Sequence, residues 1–392
     1  MNSYKYLIVG SGMTADAAVR GIRTLDTNGS IGMIGEEINP PYNRPPLSKG
    51  LWKGKPIDSI WRRTPPEGLT LQLGRKVVSL NANDRQVQDD KGQTYQGEKI
   101  LLATGGTPHH LPFGGDEIIY YRSLADFNKL HEMSTHLERF IVIGGGFIGS
   151  EIAAALAMNG KKVSMVMRKE GLGARIYPRE VSQFLNEFFR QKGVEVLTGE
   201  SLAGMVTQNK EYILTTKSGR KITAEAVVAG IGILPNVELA KTAGLQTGNG
   251  IVVDEHLLTS KPGIYAAGDV AEFFNPALGK RMRVEHEDNA NTMGLQAGRN
   301  MAGAGEPYLH LPFFFSDLFE LGYEAIGELD ARSNVVVDWK EPFKTGVLYY
   351  LKEGRVRGVL LWNVWKKIEA ARQLIANPGP FGPENLIGKL GY

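Results

Sequence analysis

Two glycine-rich stretches hold the residues whose types and spacing point most directly to chemistry. Gly10-Ser11-Gly12-Met13-Thr14-Ala15 and Gly144-Gly145-Gly146-Phe147-Ile148-Gly149 both follow the spacing GxGxx(G/A). In that pattern the first glycine permits a tight turn and the second lets a pyrophosphate approach the backbone. The third, small residue keeps helix and strand close. A helix opening at the turn aims N–H groups and the positive end of its dipole at the phosphates. Glu36 lies 26 residues past Gly10, where an acid would accept both hydroxyls of an adenosine ribose. The chemistry expected of each stretch is the binding of a dinucleotide.

The elements that must position these turns are legible around them. Tyr6–Val9 is short, apolar and β-branched, as a strand buried on both faces should be, and a helix over Ala15–Leu25 and a strand over Ser30–Ile34 follow. The second unit repeats the layout, with strand Phe140–Ile143, helix Ser150–Met158 and strand Val163–Met167. Two units in one chain imply electron transfer between two bound dinucleotides, normally FAD and a nicotinamide. Lys99–Gly106 and Val227–Asn236 read as buried strands ending in glycine turns. Gly263–Asp269 reads as a strand ending in an acid suited to the sugar-alcohol chain of a flavin.

Composition narrows the remaining choices. The 392 residues allow two or three domains, and 42% are apolar, enough for real cores. Lys plus Arg number 45 against 42 Asp plus Glu, a net +3, which leaves no electrostatic footprint for nucleic acid. Cysteine is absent, so disulfide scaffolding, Cys-ligated metals and thiol chemistry of the chain's own are excluded, and no metal site is expected. No apolar run is long enough to span a bilayer and no signal peptide is visible, so a cytoplasmic location is the expectation.

The order GxGxxA, Arg44-Pro-Pro-Leu-Ser-Lys49, Ala103-Thr-Gly105, GxGxxG, Gly232…Pro235-Asn236, Gly268-Asp269 and Val284-Glu-His286 resembles the FAD-dependent pyridine-nucleotide oxidoreductases. It is most similar to their ferredoxin, rubredoxin and putidaredoxin reductase and apoptosis-inducing-factor branch. Ser316-Asp317, Gly322–Gly327, Val359–Asn363 and Ala371-Arg372 look closest to the apoptosis-inducing-factor type. The resemblance implies that Gly10, Gly12, Met13, Thr14, Ala15, Glu36, Arg44, Lys49, Val77, Ala103, Thr104, Gly105, Arg122, Asp269 and His286 serve FAD. It implies that Gly144, Gly145, Gly146, Phe147, Ile148, Gly149, Glu151, Gly232 and Glu285 serve the nicotinamide nucleotide. Lys49 and Glu151 would pair beside the flavin, the lysine stabilising negative charge that builds as hydride arrives. Relatives that relay electrons through a Cys pair place it where this chain reads Pro41–Gly50. Without sulfur there, the flavin itself must reduce the acceptor.

Two departures from the pattern bear on partners. After Ser164–Met167 the expected acid is replaced by Arg168-Lys169, with Arg175 close behind. Cations there would favour a 2′-phosphate, hence NADPH over NADH, with Glu170 turning inward as the NADH alternative. Relatives carry Trp where this chain has Phe313 to Phe315. Phe315 can stack on a flavin or nicotinamide ring but lacks an indole N–H. The acceptor is therefore open among a ferredoxin- or rubredoxin-like protein, a quinone or another molecule.

The expected fold is α/β, with two Rossmann-like domains and a C-terminal α+β interface domain. FAD would bind to 1–114 with 236–310, and NAD(P) to 115–235. Residues 311–392 would form the interface domain, with strands near Glu324–Leu329, Val335–Trp339, Gly346–Lys352 and Arg357–Trp362 and a helix from Val364 to Ile375. Pro378–Pro383 should break any further helix. Trp362, Trp365 and the tail are compatible with core or with a homodimer interface. The expected activity is NAD(P)H-dependent reduction of an acceptor through FAD. The alternative is a redox-responsive flavoprotein like apoptosis-inducing factor, with slow turnover and a long-lived reduced complex.

Overall fold

A computed structural model describes residues 1–392. The chain forms two compact units, each assembled from three segments. Unit 1 comprises Met1–Asn43, Ile57–Thr107 and Leu234–Pro312; unit 2 comprises Arg44–Pro56, Pro108–Ile233 and Phe313–Tyr392. No helix is long and apolar enough to cross a membrane.

Unit 1 is built on a seven-stranded sheet. Its parallel part runs Leu69–Leu73, Ile31–Gly35, Asn2–Val9, Thr94–Leu102 and Ile264–Ala266. Tyr6, Leu7, Ile8 and Val9 are all buried, as a strand covered on both faces requires. The register sets Val9 beside Ile34 and Leu102, and Leu102 beside Ala266. The carboxyl ends of four strands therefore finish level. Gly10, Glu36, Ala103 to Gly105 and Gly268-Asp269 all follow those ends, the edge where open α/β sheets place their ligands.

Helix Met13–Arg23 packs on helix Glu287–Met301 at very short range. A Cβ at Gly294 would lie 2.4 Å from the Thr14 carbonyl oxygen, and one at Gly298 would lie 2.0 Å from that of Ala18. Any side chain there would force the helices apart.

Unit 2 repeats the parallel design with five strands in the order Val194–Leu197, Lys162–Val166, Arg139–Ile143, Ala226–Ala229 and Ile118–Tyr120. A three-stranded antiparallel meander covers Leu202–Gln208, Glu211–Thr216 and Lys221–Ala224. Residues from Phe313 onward form a five-stranded antiparallel sheet, ordered Phe313–Leu318, Leu321–Gly327, Arg355–Trp362, Thr345–Lys352 and Asn334–Glu341. Trp362, Tyr323, Tyr349 and Tyr350 are fully buried in it.

The C-terminal elements differ from expectation at three points. Strand Phe313–Leu318 was not among the expected strands, because its three phenylalanines hide the alternation of a half-buried strand. The helix begins at Ile368, four residues late, because Asn363 and Lys366 have φ of 48° and 64°. The tail is not wholly irregular either. Pro383–Leu386 forms a one-turn helix, with Pro at a position where its missing N–H costs nothing. Gly388 N–H and the Tyr392 hydroxyl both donate to the buried carboxylate of Asp338, fastening the tail to strand Asn334–Glu341.

Candidate functional site

In unit 1, Gly10 has φ +121°, and a Cβ there would meet the Ala103 carbonyl oxygen at 2.1 Å. The turn thus admits only glycine. Gly12 caps helix 13–23 with no side-chain hydrogen bond, and a Cβ built on it would meet nothing within 4 Å. Space therefore opens beside the start of the helix at Gly12, where Met13, Thr14 and Ala15 are buried. The one acid in that turn, Asp16, is fully buried. It accepts from Arg62 Nε at 2.6 Å, Arg20 Nε at 3.0 Å and Thr64 Oγ1 at 2.7 Å, so it is engaged away from the opening. These features fit the pyrophosphate of FAD.

The remaining unit 1 candidates flank that turn. Glu36 is exposed and pairs with Lys76 at 3.1 Å. Val77 opens strand Val77–Asn81. Asn236 fixes the loop at Thr104-Gly105: its Nδ2 donates to the Thr104 carbonyl at 2.8 Å and its N–H to that of Gly105 at 3.0 Å. The sequence displays Asn236 but gives no sign of this task. Arg283, which sequence reasoning missed, joins two expected ligands. It pairs with Glu285 at 2.6 Å and donates to the Asp269 carbonyl at 3.0 Å. His286 caps helix 287–301, and burial pushes its imidazole down to about 4 against the opposing pull of Asp269 and Asp288.

Unit 2 carries the matching turn. Gly144 has φ +109°, and a Cβ there would lie 2.4 Å from the Gly230 carbonyl oxygen; Gly149 packs equally tightly on Gly144. Gly145 sits against Met167. Gly146 caps helix Phe147–Met158 without a side-chain bond, and nothing lies within 4 Å of a Cβ there. Ile148 is exposed, and Phe147 lies edge-on to Phe314 at 5.0 Å. Gly232, at φ +100°, accepts from the His109 N–H. Arg168 and Lys169, beyond strand 162–166, are exposed, and so is Arg175 in the same loop. Glu170 is exposed too, with its carbonyl held by Asn186 Nδ2 at 3.1 Å. This second open helix terminus fits a further dinucleotide.

Segment Arg44–Pro56 supplies a hydrogen-bonded cluster of unit 2. Pro45 and Pro46 open a 3-10 turn, Pro45–Ser48, that presents Lys49 at its end. Arg44 donates to the Arg122 carbonyl at 2.9 Å. Trp52 and Tyr121 both donate to the Leu47 carbonyl, at 2.8 Å and 2.5 Å. So anchored, Lys49 Nζ lies 2.7 Å from Glu151 Oε1 and 5.1 Å from the centre of the Phe315 ring. Glu151 is 3% exposed. Ser316 donates to the same oxygen at 2.6 Å and Ser48 to Oε2 at 2.5 Å. Neither serine was singled out from the sequence, although both stand in motifs quoted there. A buried, fully bonded carboxylate holding an ammonium beside an aromatic ring can stabilise negative charge on a bound reactant.

Residues 4–294 match the pyridine nucleotide-disulphide oxidoreductase family, and residues 297–340 and 333–377 match the C-terminal part of the mitochondrion-associated apoptosis-inducing factor. The chain is 31% identical over 396 residues to the putidaredoxin reductase of Pseudomonas putida, covering 97% of this chain and 94% of that one. It is 32% identical over 402 residues to the ferredoxin–NAD(+) reductase component of the anthranilate 1,2-dioxygenase system of Burkholderia cepacia, covering 98% and 97%. It is 31% identical over 418 residues to apoptosis-inducing factor 1 of Dictyostelium discoideum, covering 96% and 79%. Among solved structures, the covalent putidaredoxin reductase–putidaredoxin complex superposes with a TM-score of 0.90 at 29% identity, covering 98% and 95%.

Proposed function

We propose, from the premise that the chain belongs to the pyridine nucleotide-disulphide oxidoreductase family, that it is an FAD-dependent NAD(P)H oxidoreductase delivering electrons to a ferredoxin- or rubredoxin-like protein. The observation that carries this reading is the repeated open turn at Gly12 and Gly146 in a chain that also buries a Lys49–Glu151 pair. In this reading 1–114 with 236–310 hold FAD, 115–235 hold the nicotinamide nucleotide, and 311–392 form the interface part.

When bound, the two cofactors supply hydride transfer from nicotinamide C4 to flavin N5. The chain's own residues position and stabilise. N–H groups following Gly12 and Gly146 hold pyrophosphates, Glu36 and Asp269 accept sugar hydroxyls, and Arg283 keeps Glu285 in place. Lys49, held by Glu151, offsets negative charge gained by the flavin. The chain has no cysteine, so no disulfide of its own relays electrons. Purified protein should be yellow, bleach with a reduced nicotinamide, and recover its colour when a ferredoxin-type protein is added. A colourless protein that takes up no FAD sinks the reading.

NADPH is the donor in this proposal, with Arg168 as the main 2′-phosphate ligand and Lys169 and Arg175 assisting. Steady-state kinetics test this: Arg168→Ala should lower kcat/KM for NADPH about tenfold, one charge-assisted contact's worth, and leave NADH nearly unchanged. A wild-type kcat/KM for NADH at or above that for NADPH refutes it. The C-terminal match supports a second reading, a slow redox-responsive flavoprotein like apoptosis-inducing factor. Its mark is a charge-transfer band that persists in air after rapid mixing with nucleotide.

A further inference from the structure

Glu151 receives more hydrogen bonds than an ordinary ion pair needs. Oε1 takes Lys49 and Ser316, and Oε2 takes Ser48. Tyr323 stands opposite Ser316 on the neighbouring strand, with the Tyr177 ring edge-on to it at 5.8 Å. Each hydroxyl has one proton to give. Ser316 gives its own to Oε1 of Glu151 and Ser48 gives its own to Oε2. Burial pushes both phenols upward, so both keep their protons. The cation that touches the carboxylate in this cluster is Lys49; Lys53 faces Asp317 at 3.9 Å instead.

We infer that Ser316 on one oxygen and Ser48 on the other are positioning residues that fix both oxygens of Glu151 and so aim the Lys49 ammonium. The inference rests on the proposed role of Lys49 toward the flavin. Taking a carboxylate and an ammonium out of water is costly, and the pair is worth keeping only when the remaining lone pairs are satisfied. Removing Ser316 Oγ frees Oε1 to rotate, and the ammonium it holds moves with it.

The test uses flavin-loaded Ser316→Ala and Ser316→Thr. Ser316→Ala should keep its flavin and its nucleotide Kd but lose about tenfold in stabilisation of the reduced form. That corresponds to about 30 mV toward negative midpoint potential for a two-electron couple. Its single-turnover reduction should slow about as much. Ser316→Thr restores the hydroxyl and should recover most of both. A yellow Ser316→Ala with potential and reduction rate within twofold of wild type overturns the inference alone. So does failure of Ser316→Thr to recover them, which marks the serine as merely structural. Wild-type protein that binds no flavin overturns the functional reading instead, and this inference with it.

Discussion

Lys49 and Glu151 meet because Ser48 and Glu151, 103 positions apart, are brought into hydrogen-bond contact. Glu151→Gln should slow single-turnover reduction about 100-fold, as loss of a preorganised electrostatic contact does. It should also cost about 3 kcal/mol of stability, since it leaves a largely buried ammonium without its counter-charge. His286 offers a pH test. The unfolded chain takes up a proton near pH 6.5 that the folded chain refuses until about 4. Stability is therefore full above 6.5 and falls between 6.5 and 4. The ring keeps part of its surface in solvent, so the loss is on the order of 1–2 kcal/mol. Urea unfolding at pH 7 and 4.5 checks this: His286→Asn should lose less over that interval, and an equal loss would reject it. Glycines, the lysine and the acids were legible as single letters in known spacings. Ser316, Asn236 and Arg283 were not, because a lone serine, asparagine or arginine acquires its task only from a distant chain segment.

At the scale of elements, the two glycine turns separate folding from binding. Gly10→Ala should cost more than about 3 kcal/mol, because its backbone conformation disfavours a side chain and a carbonyl oxygen occupies the place of the Cβ. Gly12→Ala, with open space around it, should change stability by about 1 kcal/mol or less. It should nevertheless weaken FAD retention about tenfold, read as flavin released on dialysis. If both substitutions cost the same stability, the opening at Gly12 is not there to receive a ligand. Parallel strands were legible because burial on both faces leaves unbroken apolar runs such as Tyr6–Val9. Strand Phe313–Leu318 and the start of helix Ile368–Ala376 were not. The former depends on its antiparallel partner Leu321–Gly327, and the latter on left-handed residues whose identities, Asn and Lys, do not announce it.

Over the whole molecule, the fold class followed from two repeats of one unit, whereas the grouping of segments did not. Arg44–Pro56 joins unit 2 because Trp52 packs edge-on to Phe127 at 5.7 Å and its carbonyl accepts from Asn159. No local pattern encodes those contacts. The tail shows the same dependence on distant partners. Asp338→Ala removes the acceptor of Gly388 and Tyr392, and should cost about 1–3 kcal/mol. Limited proteolysis would then cut beyond Pro378 sooner than in wild type, and an unchanged digestion pattern would show the tail to be held otherwise. The packing of Trp52 has a practical use as well. Of five tryptophans, it is the one whose indole N–H bonds the carbonyl just ahead of Ser48-Lys49. With the other four replaced by phenylalanine, its fluorescence would report on that stretch alone. Ultraviolet excitation and a simple emission scan would then follow the lysine-bearing loop in real time, without any attached dye.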